Sequence, residues 1–167
     1  NQGNTYTVIQ NPAGDTTMYV AYCVVATSSG TYTVSSANGH PRAAMQITNW
    51  SSSDLNTASL IGDYSSAGYS MVRSATTTVA GQLAITAAGG NGSAGNGGDF
   101  VNPPSTFTAM DEFLGSRCTL ATAYKTCGSP GTETSTWTGT SPSDSLSSVL
   151  VLFNPAVSGP TDRKSVV

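Results

Sequence analysis

The sequence predicts an all-β protein built as an antiparallel two-sheet β-sandwich, and three observations support this. Only 9% of the residues are charged, against about 25% in an average soluble domain. Serine and threonine, 24 of each, therefore supply most of the polar surface. Short runs of β-branched and aromatic residues alternate with turn-forming glycine, proline and asparagine, a pattern typical of many short strands. Apolar residues do not recur at helical spacing over the ten or so positions that a helix requires.

The predicted strands follow this alternation along the chain. The first group comprises Thr5–Gln10, Thr17–Ala26, Thr31–Ser36 and Ala43–Trp50. The second group comprises Leu60–Asp63, Tyr69–Val72, Thr76–Val79 and Gln82–Thr86. Within it, Ala80 and Gly81 form a tight turn that joins the last two strands as a hairpin. The third group comprises Phe107–Met110, Cys118–Lys125, Thr132–Thr138 and Ser147–Phe153. Asp54–Ile61 is the one segment that favours a helical turn.

Length and charge limit the architecture and the function. The chain has 167 residues, which indicates a single domain over residues 1–157 followed by a tail at 158–167. The tail either frays or adds to the sheet of a neighbouring subunit. A net charge of −3 provides no basic stripe for nucleic acid. The apolar runs are shorter than the roughly 20 residues that cross a bilayer. We therefore expect neither nucleic-acid binding nor membrane insertion.

Two parts of the sequence repeat one order of elements. Each has a long aromatic strand, a Gly-Thr turn at Gly30 or Gly131, a Thr-rich strand and a strand of small and apolar residues. With the later Thr-Thr-Thr-Val-Ala-Gly-Gln-Leu-Ala-Ile segment, this order resembles the concanavalin-like or jelly-roll sandwich modules of phage structural proteins and bacterial exported proteins. The resemblance spans Thr17 to Val157. The strands that such modules place before Tyr19 are missing, which implies a longer protein or a partner that completes the sheet.

The three cysteines allow at most one disulfide within the chain. A Cys118–Cys127 pair is disfavoured, because a strand between them would separate their α-carbons by up to about 30 Å. Cys23 could instead pair with Cys118 or Cys127 if their strands are neighbours; otherwise the three act as small buried hydrophobic residues. The spacing matches no zinc pattern, and the chain has one histidine. We therefore predict no metal site and no cofactor.

Candidate contact residues lie in the glycine-rich segment and at the tryptophans. Gly89 to Asp99 (GGNGSAGNGGD) predicts a long loop that either stays free at the surface or faces a ligand or subunit. The two tryptophans either fill the core or present a flat face to a sugar or partner. The candidate contacts are therefore Trp50, Trp137, Gly89, Asn91, Asn96 and Asp99.

The resulting functional hypothesis is a non-enzymatic structural module. The resemblance implies a virion component (decoration, capsid-associated or tail-fibre) or an exported surface array, located in the virion or at the cell surface. Its partners would be other structural subunits, in a homo-oligomer or larger assembly. The alternative is a carbohydrate-binding module that recognises surface glycans. A glycoside-active enzyme comes third, and it would need a carboxylate pair such as Glu112 and Glu133.

Overall fold

The computed structural model describes residues 7–10, 19–22, 58–65, 70–91, 103–114, 119–139 and 145–155. Within these ranges the secondary structure is all β, with nine strands and no helix. The strands are β1 (Thr7–Gln10), β2 (Tyr19–Tyr22), β3 (Ala58–Ser65), β4 (Ser70–Thr77), β5 (Leu83–Asn91), β6 (Thr108–Leu114), β7 (Thr119–Thr126), β8 (Gly131–Thr138) and β9 (Ser145–Phe153). The all-β prediction is confirmed for this part of the chain.

Every pairing between described strands is antiparallel. A five-stranded sheet has the order β3-β9-β5-β7-β6, while β4 pairs with β8 and β1 pairs with β2. Strand β4 also contacts β9 and β3, so the β4–β8 sheet packs against the five-stranded sheet. The last strand in sequence, β9, lies between β3 and β5, which makes the sheet dependent on contacts between distant parts of the chain.

Small residues of the five-stranded sheet pack against the inner side of the β4–β8 sheet. Ala84 and Ala88 of β5 and Ala121 and Ala123 of β7 belong to one buried cluster with the large side chains of the opposite sheet, Met71 and Trp137. Trp137 is 1% exposed. Because close packing requires large residues to face small ones, the alanines provide the space that the indole occupies.

One buried hydroxyl connects the two sheets. Thr86 of β5 is fully buried, and its Oγ1 lies 2.9 Å from Trp137 Nε1, 3.0 Å from Ser135 Oγ and 2.9 Å from Val149 O. A hydroxyl has one proton and two acceptor positions. Thr86 Oγ1 accepts the hydrogen bond from the Trp137 indole N–H, and its own proton faces two acceptors, Val149 O and Ser135 Oγ. The Thr86 hydroxyl thus contacts three buried partners, two of which belong to β8 of the opposite sheet.

The segment between β4 and β5 is a crossover and not the predicted hairpin. Its tight turn is present, with Gly81 at φ +81°, but β4 pairs with β8 while β5 pairs with β7 and β9. Buried Gln82 stabilises the crossing, because its Oε1 accepts a 2.7 Å hydrogen bond from the backbone N–H of Thr78 and its Nε2 donates to Asn154 Oδ1. The turn signal was correct, and the expected pairing was wrong.

Other expectations need correction at their boundaries. The two predicted strands Tyr69–Val72 and Thr76–Val79 are one strand, β4, because Arg73 and Ser74 pair with β8 like their neighbours. The predicted helical turn at Asp54–Ile61 is wrong for its last four residues, which belong to β3. The backbone groups of these four residues pair with β9 as part of the sheet. Several predictions concern segments outside the described residues. They are the strands Thr31–Ser36 and Ala43–Trp50, the first repeated part beyond β2, and the tail at 158–167.

Replacing Thr86 with valine tests the buried junction. The substitution keeps the side-chain shape but leaves Trp137 Nε1 and Ser135 Oγ without their partner in the core, and an unsatisfied buried group costs about 1–3 kcal/mol. We expect Thr86→Val to lower the free energy of unfolding by about 2–4 kcal/mol, measured by urea denaturation. Thr126→Val, at an exposed position, is the control, and an equal, small effect of both variants would contradict the role of Thr86.

Candidate functional site

The outer surface of the β4–β8 sheet is a regular array of uncharged hydroxyl side chains. Alternate residues of β4 and β8 point away from the core, and we call them together the hydroxyl face: Ser70, Val72, Ser74, Thr76, Thr132, Thr134, Thr136 and Thr138. All are exposed except Thr138, which is half-buried. The face therefore presents seven hydroxyls, one valine and no charge.

The alternation in the sequence explains this face. Successive strand residues point to opposite sides of a sheet, and the run Thr132 to Thr138 (TETSTWT) has threonine at every second position. The residues between them, Ser135 and Trp137, are buried. Threonine is a strong strand former whose branched side chain suits a pleated surface. The same residues thus favour a strand and coat its outer side with hydroxyls.

The strand register arranges the hydroxyls in two rows. Ser70 lies opposite Thr138, Ser74 opposite Thr134 and Thr76 opposite Thr132. Rows on adjacent strands are about 4.8 Å apart, and same-side residues along a strand are about 6.7 Å apart. One cross-strand pair is bonded directly, with 2.9 Å between Ser74 Oγ and Thr134 Oγ1. Such a surface can donate and accept hydrogen bonds, and its methyl groups supply apolar contact.

A polar cluster lies beneath one end of the face. Lys125 of β7 and Glu133 of β8 form an ion pair across the two sheets, with 2.6 Å between Nζ and Oε2. The Glu133 side chain is only 14% exposed, and its carboxylate contacts the Lys125 ammonium. Glu112 is exposed on β6, in the other sheet. Glu133 is thus already engaged by Lys125, and the predicted glycosidase pair of Glu112 and Glu133 gains no support.

Cys127 is a buried free thiol beside this ion pair. Burial raises its pKa above the ordinary value of 9.0, and the Glu133 carboxylate raises it further. The thiol therefore remains protonated where an exposed thiol would ionise, and a protonated thiol is a poor nucleophile. Strand β7 ends at Thr126, directly before Cys127. Cys127 is free, so the predicted alternative of a Cys23–Cys127 disulfide is not present; Cys23 and Cys118 lie outside the described residues, and a disulfide between these two stays a prediction.

The predicted contact residues have different outcomes. Trp137 is a core residue that donates its N–H to Thr86, so its place among the surface contacts is corrected in favour of the core interpretation. Gly89 lies within β5, paired with Leu120 on one side and Ser147 on the other, so the predicted loop is wrong at this residue while its contact role stays a prediction. Asn91 is the last residue of β5, so the strand continues into the glycine-rich segment. Trp50, Asn96 and Asp99 lie outside the described residues.

Sequence reasoning treated the Thr-rich strand as a structural element and missed its outer side as a surface. The available signal was the strict alternation of threonine from Thr132 to Thr138, combined with a partner strand of similar alternation from Ser70 to Thr76. What the sequence alone did not supply was the pairing of β4 with β8, which places the two sets of hydroxyls side by side.

Comparisons with known proteins do not add a family to this description. No protein-family model, no curated protein and no solved structure matches the chain. Among the described residues, three or more histidine, cysteine, aspartate or glutamate side chains do not come together as a metal-binding group. The same part of the chain contains no apolar helix long enough to cross a bilayer.

The raised pKa of Cys127 predicts slow chemical modification and a loss of stability at high pH. We expect Cys127 to react with iodoacetamide at least about tenfold more slowly in the folded protein than in urea, measured by mass spectrometry of the labelled peptide.

The raised pKa of Cys127 also makes stability depend on pH. In the unfolded protein the thiol ionises as the pH rises through its ordinary pKa of 9.0, while the folded thiol stays protonated. The unfolded state is therefore favoured as the pH rises beyond that value. Cys127→Ser should lack this part of the alkaline destabilisation; an unchanged pH profile would contradict the assignment.

Proposed function

We propose that this chain is a non-enzymatic structural module that assembles with other subunits through the hydroxyl face. The observation that carries the proposal is the combination of a regular, uncharged outer surface with a buried underside that hydrogen bonds of Trp137 and Ser135 with Thr86 join to the five-stranded sheet. A surface of fixed shape loses little conformational entropy when a partner docks on it. Hydroxyls and methyl groups spread over two strands suit a broad contact with another protein surface.

The proposed architecture is a β-sandwich of the jelly-roll or concanavalin-like type. Two antiparallel sheets that share one buried cluster support the sandwich. The central position of β9 between β3 and β5 supports a topology with long connections. The setting that we propose, a virion or an exported surface array, depends on the sequence resemblance to modules of phage structural and bacterial exported proteins.

Carbohydrate recognition is the second candidate, because a hydroxyl face can also exchange hydrogen bonds with a sugar. Sugar sites usually add an aromatic side chain that stacks on the ring; Trp137 is buried, which leaves Trp50 as the tryptophan to test. A glycan array with the wild-type chain, Trp50→Ala and Thr136→Lys separates the two functions. Selective sugar binding that either variant loses would replace the assembly proposal with a carbohydrate-binding module.

A charge placed in the hydroxyl face tests the assembly proposal. Thr136→Lys introduces a long charged side chain at an exposed position between Thr134 and Thr138, opposite Val72. In a contact between copies, it should weaken association at least about tenfold, equivalent to about 1.4 kcal/mol. Light scattering across micromolar to millimolar concentrations measures the mass of the wild-type chain and the variant.

Thr126→Lys is the matched control, because it adds the same charge at an exposed position of β7, outside the hydroxyl face. We expect the wild type and this control to form species larger than the 16.9 kDa monomer. A wild-type chain that remains monomeric throughout, or an equal effect of both lysines, would contradict assembly through this face.

A further inference from the structure

Strand β6 is an exposed edge of the five-stranded sheet. In the described part of the chain it pairs only with β7, and its residues from Thr108 to Phe113 are exposed apart from half-buried Met110. Phe113 alone is 53% exposed. An edge strand presents backbone N–H and C=O groups that can pair with another extended segment. The exposure of nearly every residue shows that this edge is accessible.

The regular pairing of β6 with β7 is interrupted near the centre of β6. The register with β7 shifts between Ala109 and Asp111, which makes Met110 a bulge. Two residues beyond Met110, the backbone N–H of Glu112 donates a 2.9 Å hydrogen bond to Asp111 Oδ1. Asp111 and Glu112 are both exposed on this edge strand. Bulges and edge charges of this kind prevent indiscriminate pairing of sheet edges.

The two carboxylates at this edge select the charge of a partner. Asp111 and Glu112 are consecutive, so they point to opposite faces of the sheet. A second β6 strand paired antiparallel about its centre would bring acidic residues opposite acidic residues, which is destabilising. A strand with two consecutive basic residues would instead place one cation beside each carboxylate. This holds for parallel and antiparallel pairing, because both charged pairs are adjacent in sequence.

The chain itself contains one such basic pair. Arg163 and Lys164 are the only consecutive basic residues in the sequence, and Ser165, Val166 and Val167 follow them. Valine is a favourable strand residue and can contact the exposed apolar part of β6. We propose that the segment 163–167 of a second copy adds to β6 as an extra strand. The proposal deepens the assembly function proposed above and uses a different surface from the hydroxyl face.

A charge-swap experiment tests this pairing between copies. One variant carries Asp111→Lys and Glu112→Lys; the other carries Arg163→Glu and Lys164→Glu. Each variant alone places like charges together, so we expect its self-association, measured by light scattering, to be at least about tenfold weaker than that of the wild type. An equimolar mixture restores opposite charges in both directions, and we expect it to form a complex that contains both variants.

A control variant and a comparison with Thr136→Lys distinguish a failure of the β6 pairing from a failure of the hydroxyl face. Thr78→Lys with Thr126→Lys adds two lysines at exposed positions outside β6, and it should associate like the wild type. Weakening by this control, or a mixture that remains dissociated, would overturn the proposal. Circular dichroism confirms that each variant folds. If the mixture recovers association while Thr136→Lys has no effect, the β6 pairing stands and the hydroxyl face is not the assembly surface.

Discussion

The two sheets depend on one buried hydrogen-bonding junction. Thr86 connects β9 of its own sheet with Ser135 and Trp137 of the opposite sheet. The hydrophobic contact around it is non-directional and would permit several relative positions of the sheets. The Thr86 hydroxyl permits fewer relative positions of the sheets, because a shift of β8 would leave the Trp137 indole N–H and the Ser135 hydroxyl buried without their Thr86 partner. Packing supplies the attraction, and Thr86 supplies the register.

This arrangement links the core to the proposed surface. Every second residue of β8 contributes to the packing against the five-stranded sheet, and the residues between them form half of the hydroxyl face. Fixing the inner residues therefore fixes the spacing of the outer threonines. The ion pair between Lys125 and Glu133 adds a second contact between the sheets at the other end of the strand. A surface whose shape is set by the core is suited to repeated docking in an assembly.

The sequence predicted the all-β class and, within the described residues, most strand positions, because alternation and turn residues are local properties. Thr132–Thr138 and Ser147–Phe153 correspond closely to β8 and β9. Pairing was predicted poorly, because it depends on contacts between distant residues. The Ala80–Gly81 turn reads locally as a hairpin, yet Gln82 and Asn154 direct the chain into the other sheet. Likewise, the burial of Trp137 depends on the alanines of β5 and β7, and no neighbour in sequence indicates it.

Native-state hydrogen exchange, measured by nuclear magnetic resonance, tests most directly whether Thr86 joins the two sheets into one unit. The account predicts that the backbone amides of β8 that bond to β4 exchange as slowly as those in the centre of β5, since both would open only when the whole domain unfolds. Rapid exchange in β4 and β8 while β5 and β9 remain protected would contradict it. The β4–β8 sheet would then open independently, and the hydroxyl face would lack a fixed shape.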